Sequence, residues 1–113
     1  MTVSILKEKV QNSEVLVFSE VIDSIDSYYS FTPTSFTNGE LTNESGINNG
    51  SCKVFSFAKE QNLDVSQTLF LFGEHYQKVL QTPTEDDHQN IRNFIKFGWE
   101  GVQFSGNALE LKK

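Results

Sequence analysis

Between two stretches of helical periodicity, the segment from Phe31 to Lys53 gathers three of the seven glycines, one of the two prolines, the only cysteine and four asparagines. A run this rich in turn formers cannot continue a helix, and a chain of 113 residues has to change direction there. Polar side chains on such a segment are presented on loops instead of being lost in an apolar face.

The flanks are helical. Val3, Leu6 and Val10 predict a short N-terminal helix. Val15, Phe18, Ile22, Ile25 and Tyr29 recur at helical spacing, with Glu20, Asp23 and Asp26 on the opposite side. That is an amphipathic helix, and Thr32-Pro33 ends it because the residue before proline avoids the helical region. After the turn-rich segment, Ser51 is placed to cap a helix carrying Val54, Phe55, Phe57 and Ala58. Asp64 caps a following helix whose stripe runs through Val65, Leu69, Phe72, Tyr76 and Val79 to Leu80. Asp87 caps a last helix with Ile91, Phe94 and Ile95, and Gly98 and Gly101 around Trp99 stop it.

Two hairpins complete the pattern. Asn38-Gly39 suits a type I′ turn, which sets Phe36 opposite Leu41. Val102–Phe104 and Ala108–Leu111, joined by Ser105-Gly106-Asn107, predict a closing hairpin. Neither would be stable alone, so the expectation is one small antiparallel sheet shared by both and packed with four to five helices. The fold class is α+β, in one domain spanning residues 1–113, with no internal repeat and no linker.

Composition narrows function. A net charge of −6 with nine scattered basic residues argues against nucleic acid and against an anionic membrane surface as partners. A single Cys excludes an intramolecular disulfide and a multi-Cys zinc site. The N-terminus lacks the apolar run of a signal peptide, and no stretch approaches the roughly 20 apolar residues of a membrane span. The expectation is therefore an acidic, soluble, monomeric protein of the bacterial cytoplasm, with no cofactor and no metal. Its partner would be another protein or a small polar ligand.

Chemistry could sit in four places. Cys52, in a first helical turn, would have its thiol pKa lowered by the dipole, with His88 as the base of a nucleophile–base pair. The start of the last helix, with His88 and Arg92 four residues apart, could receive a carboxylate or phosphate. The asparagine amides, Asn43 and Asn49 among them, with Glu44 and Ser51, could line a polar pocket. Trp99 could serve as a platform for a ligand. Gly46-Ile-Asn-Asn-Gly50-Ser-Cys-Lys53 has the wrong spacing for a phosphate-binding P-loop, which rejects nucleotide binding.

Phe31-Thr-Pro-Thr34, Phe36-x-Asn-Gly39, Asn43-Glu-x-Gly46-x-Asn-Asn-Gly-Ser-Cys-Lys53, Asp87-His-Gln-Asn-Ile-Arg-Asn-Phe94 and Gly98-Trp-x-Gly101 together resemble the HopJ type III effector family, from about Ile22 to Leu109. The resemblance implies a protein that a type III secretion system can deliver into a host cell. It carries no catalytic residue, substrate or cofactor with it. Two functions follow as expectations: a non-catalytic binding module built on the polar loop and the last helix start, or a small hydrolase or transferase using Cys52 and His88. They turn on whether residues 43–53 and 88–92 meet at one concave site.

Overall fold

Two segments far apart in sequence, 29–38 and 102–111, lie side by side in the computed structural model, which describes residues 1–112. Strand β1 (Tyr29–Phe31) and strand β2 (Phe36–Asn38) belong to the first segment, and a third strand, β3 (Leu41–Asn43), follows β2. The second segment holds β4 (Val102–Phe104) and β5 (Leu109–Leu111). β5 pairs antiparallel with β1, and β4 with β2, giving a two-stranded sheet and a three-stranded sheet ordered β3-β2-β4.

The two sheets share a register. Tyr29 stands opposite Leu111; seven residues on, Phe36 stands opposite Phe104, seven residues back. Thr32 N–H donates to the Ala108 carbonyl at 2.8 Å and Ser105 N–H to the Ser35 carbonyl at 3.0 Å, on either side of the interruption. Pro33 lies in the gap and has no N–H to contribute to a ladder.

The α+β class stands as expected, but the closing hairpin does not form. Ser105-Gly106-Asn107 crosses the break in the ladder, so β4 and β5 never face each other. The first hairpin does form, one step out of the expected register: Asn38 pairs with Leu41, and Phe36 with Asn43. Gly39, at φ +62, is the first of two central residues, the arrangement of a type II′ turn. The reason is tertiary. Gly39 N–H donates to the Gly101 carbonyl at 2.9 Å, and a Cβ on Gly39 would lie 2.2 Å from the Phe97 ring. The turn therefore needs its glycine beneath that ring.

Helices α1 (Val3–Gln11) and α2 (Phe18–Tyr28) precede the ladder; α3 (Asn49–Glu60), α4 (Val65–Phe70), α5 (Glu74–Gln81) and α6 (Gln89–Phe97) lie between β3 and β4. The apolar stripe from Val65 to Leu80 is not one helix. Gly73, at φ +58, breaks it, with the Leu16 carbonyl 2.5 Å from where a Cβ would sit. Asp64 does cap α4, in a reciprocal capping box with Gln67. The core centres on Phe55, fully buried, whose ring meets Phe36, Phe72, Phe94 and Trp99 at centroid distances of 4.9 to 6.3 Å. Offset and edge-on packing of this kind fills a small core with few residues. No helix among the described residues is long and apolar enough to cross a membrane.

Candidate functional site

The two helix starts meet. A cavity of about 550 Å³ opens where Asn48, Gly50 and Ser51 at the beginning of α3 approach His88, Gln89 and Asn90 at the beginning of α6. Phe18, Phe72, Ile91 and Leu41 give it apolar walls, and His75 of α5 completes it.

Both helices start in an unusual way. Asn48 and His88 are the N-caps, in place of the expected Ser51 and Asp87, and both adopt left-handed backbone, at φ 56 and φ 50. Most caps are extended and turn a side-chain oxygen back onto the first free N–H groups. Neither residue does so here. Asn48 instead donates from Nδ2 to Asn43 Oδ1 at 2.7 Å, and the His88 ring lies tilted against His75 with centroids 4.9 Å apart. The first-turn N–H groups of α3 and α6 therefore keep no side-chain cap, and two positive dipole ends point into one region.

Beneath the rim lies a buried amide network. Asn90 and Asn43 hydrogen-bond reciprocally, Nδ2 of each donating to Oδ1 of the other at 2.9 and 3.1 Å. Asn38 Nδ2 donates to both the backbone carbonyl and Oδ1 of Asn90, at 2.8 and 3.0 Å. Asn38 is fully buried and Asn43 is 1% exposed. These asparagines, expected to be turn formers on the surface, fasten the β2–β3 hairpin to α6. Such a network is costly to disturb, because each lost partner leaves a desolvated amide behind.

Arg92 is committed to structure as well. It donates to the Asp87 backbone carbonyl and carboxylate and to Thr82, fixing the 82–88 connection. Lys78 joins Asp87 at 2.7 Å, and these two cations hold the Asp87 carboxyl down to about 2. Burial, then the neighbouring His75, hold His88 below its ordinary 6.5.

A family model described as HopJ type III effector protein matches residues 3–109, covering the hairpin, both helix starts and β4. The chain belongs to the HopJ family. Its fold is that of another protein, VPA0580, whose crystal structure is described as of unknown function: TM-score 0.95, 43% identity, 99% of this chain and 95% of that one covered. No curated protein matches. Two of the motifs that carry the HopJ resemblance, Asn43–Lys53 and Asp87–Phe94, both contribute to the cavity lining.

Placed on this HopJ fold, the expected site residues separate. Ser51 and His88 line the cavity; Asn43 lies in the amide network under it. Asn49 and Glu44 are exposed nearby in sequence. Trp99 lies elsewhere: its indole N–H donates to the Leu63 carbonyl at 3.0 Å and its ring packs edge-on against Phe94 at 5.0 Å, which makes it a wall of the core. Cys52 is fully buried on another face of α3, its Sγ 3.5 Å from the Thr34 carbonyl. Burial pushes its thiol pKa up, the reverse of the shift a nucleophile requires. A Cys52–His88 pair has no geometry here, since His88 faces the cavity and Cys52 does not line it. No cluster of three or more metal-ligating side chains forms among the described residues.

His75, Phe18, Leu41 and Phe72 are the cavity residues outside the two segments that sequence reasoning singled out. His75 lies on the polar flank of an apolar stripe and reads there as structural. Only the break at Gly73 turns α5 so that His75 meets His88.

Proposed function

We propose that this HopJ protein is a binding module that receives a small polar ligand in the cavity between the starts of α3 and α6, without catalysis by Cys52. The observation that carries the reading is the convergence of two helix starts lacking side-chain caps with two histidines on one concave, aromatic-walled space. Pockets of this kind, apolar with a few convergent polar groups, are where small molecules bind. Three of its walls are rigidly placed: α6 by the amide network, the 82–88 connection by Arg92, and the start of α2 by Glu74, whose Oε1 accepts the Phe18 N–H at 2.7 Å.

The test is a ligand screen followed by backbone NMR on the full chain. Hits should move the Gly50, Ser51, Gln89 and Asn90 amides together, and Ser51→Phe, which fills the cavity, should abolish the response. Hits that cluster elsewhere, or that survive Ser51→Phe unchanged, overturn the reading.

The family adds a second proposal, delivery into a host cell by a type III secretion system, which the match over residues 3–109 supports. A reporter fused to the C-terminus should reach host cytoplasm only from bacteria with a working secretion apparatus. Equal export without that apparatus would refute it.

A further inference from the structure

His75 and His88 face each other across 4.9 Å at an interplanar angle of 34°, and Phe18 stands edge-on to His75 at 4.9 Å. Both imidazoles line the cavity. Two neutral rings stack comfortably at this separation, whereas protonation brings positive charge into a partly enclosed space. The surrounding carboxylates are already engaged. Asp87 Oδ2 is 3.9 Å from His88 Nε2, but that carboxylate is held by Lys78 and Arg92. Glu74, beside His75 on α5, accepts the Phe18 N–H at Oε1. The walls contributed by α2, β3 and α3 at this cavity, Phe18, Leu41, Gly50 and Ser51, carry no charge.

We propose that the His75–His88 pair makes this cavity a proton-linked oxyanion site: a sulfate- or phosphate-like group enters against the two imidazoles and the pair takes up one proton from solvent as it binds. The idea rests on the cavity being the binding site and goes further by naming its ligand class. An anion supplies the negative charge that the paired carboxylates cannot, and the first-turn N–H groups of α3 add neutral donors to the same space. The lowered pKa of His88 agrees with a ring whose protonation a bound anion would favour.

Sulfate is the probe, because it stays doubly charged throughout the range in which imidazole titrates. Calorimetric titration on the full chain from about pH 5.5 to 7.5 should show the association constant falling toward roughly tenfold per pH unit once the free imidazoles are neutral, with one proton taken up. The Cε1 proton resonances of His75 and His88 should titrate at higher pH when sulfate is saturating. His88→Asn, chosen because Asn tolerates left-handed backbone, and His75→Gln should each flatten the pH slope. Sulfate bound equally well at both ends of the range overturns the proposal. So does sulfate that leaves the cavity resonances unmoved while neutral screening hits shift them, an outcome that leaves the binding-module reading intact. If neither sulfate nor any neutral hit moves the cavity resonances, both fall.

Discussion

Ser51 and Cys52 are neighbours in sequence and belong to different regions of the molecule. Ser51 lines the cavity; Cys52, about 100° further round α3, is sealed against the Thr34 carbonyl beneath the break in the strand ladder. Both lie in the first turn of the same helix, where the dipole favours an anionic group. Only one is reachable. On the Cys52 side, burial raises the thiol pKa, the reverse of what the helix start would favour. On the Ser51 side the same helix start remains open, because Asn48 turns its amide toward Asn43 in place of capping. Proximity to a helix N-terminus is therefore not sufficient for reactivity; burial decides which side of the turn can meet a ligand.

The sharpest way to break the cavity side without touching the Cys52 side is Gly73→Ala. A Cβ there meets the Leu16 carbonyl at 2.5 Å and the Phe18 nitrogen at 2.8 Å, backbone atoms that cannot rotate away. With a left-handed backbone added, the loss should be about 3 kcal/mol or more. Chemical denaturation measures it, and a change under about 1 kcal/mol would mean that Gly73 does not set the angle of α5.

Asn90→Ala should come next, costing roughly 2–3 kcal/mol, because the Asn38 and Asn43 amides lose buried partners. It should also weaken any ligand of the cavity. Asn48→Ala, which removes an exposed member of the network and puts Ala on left-handed backbone, should cost about 1–2 kcal/mol.

Cys52→Ala should lower stability by about 1–2 kcal/mol, a small core truncation, and leave cavity binding unchanged. In the native chain the thiol should resist modifying reagents at neutral pH and react only as fast as the protein opens. Rapid labelling of folded protein at neutral pH would contradict its burial. Ser51→Ala should do the opposite: near-neutral stability and altered ligand response.

The smallest effect is on the pH profile. His88 titrates below 6.5 in the folded chain and near that value when unfolded, so the unfolded state binds the extra proton. Stability should then decline as pH falls through about 6.5, and His88→Asn should remove that part of the decline. Thermal melts across that range, with and without sulfate, give the sign directly.

Much of this was legible locally. The amphipathic stripe of α2, the cap at Asp64, the glycine turn at Gly39 and the two polar motifs follow from residue spacing, which acts over a few residues. Two of the HopJ motifs also marked segments that line the cavity. The misreadings share one cause: the deciding partner lies far away in sequence. Asn38 and Asn43 carry the composition of surface turns, yet Asn90, more than forty residues on, buries them. Gly106 and Asn107 carry the composition of a hairpin turn, yet the 29–38 segment claims the strands on either side.

By itself the sequence determined where backbone direction can change and which helix faces are apolar, because steric preference and periodicity belong to the local chain. Tertiary structure alone decided the rest of the Phe31–Lys53 segment. It buried Asn38 and Asn43, sealed Cys52 and left Ser51 at an open helix start, because burial and hydrogen-bond partnership depend on which distant surfaces arrive.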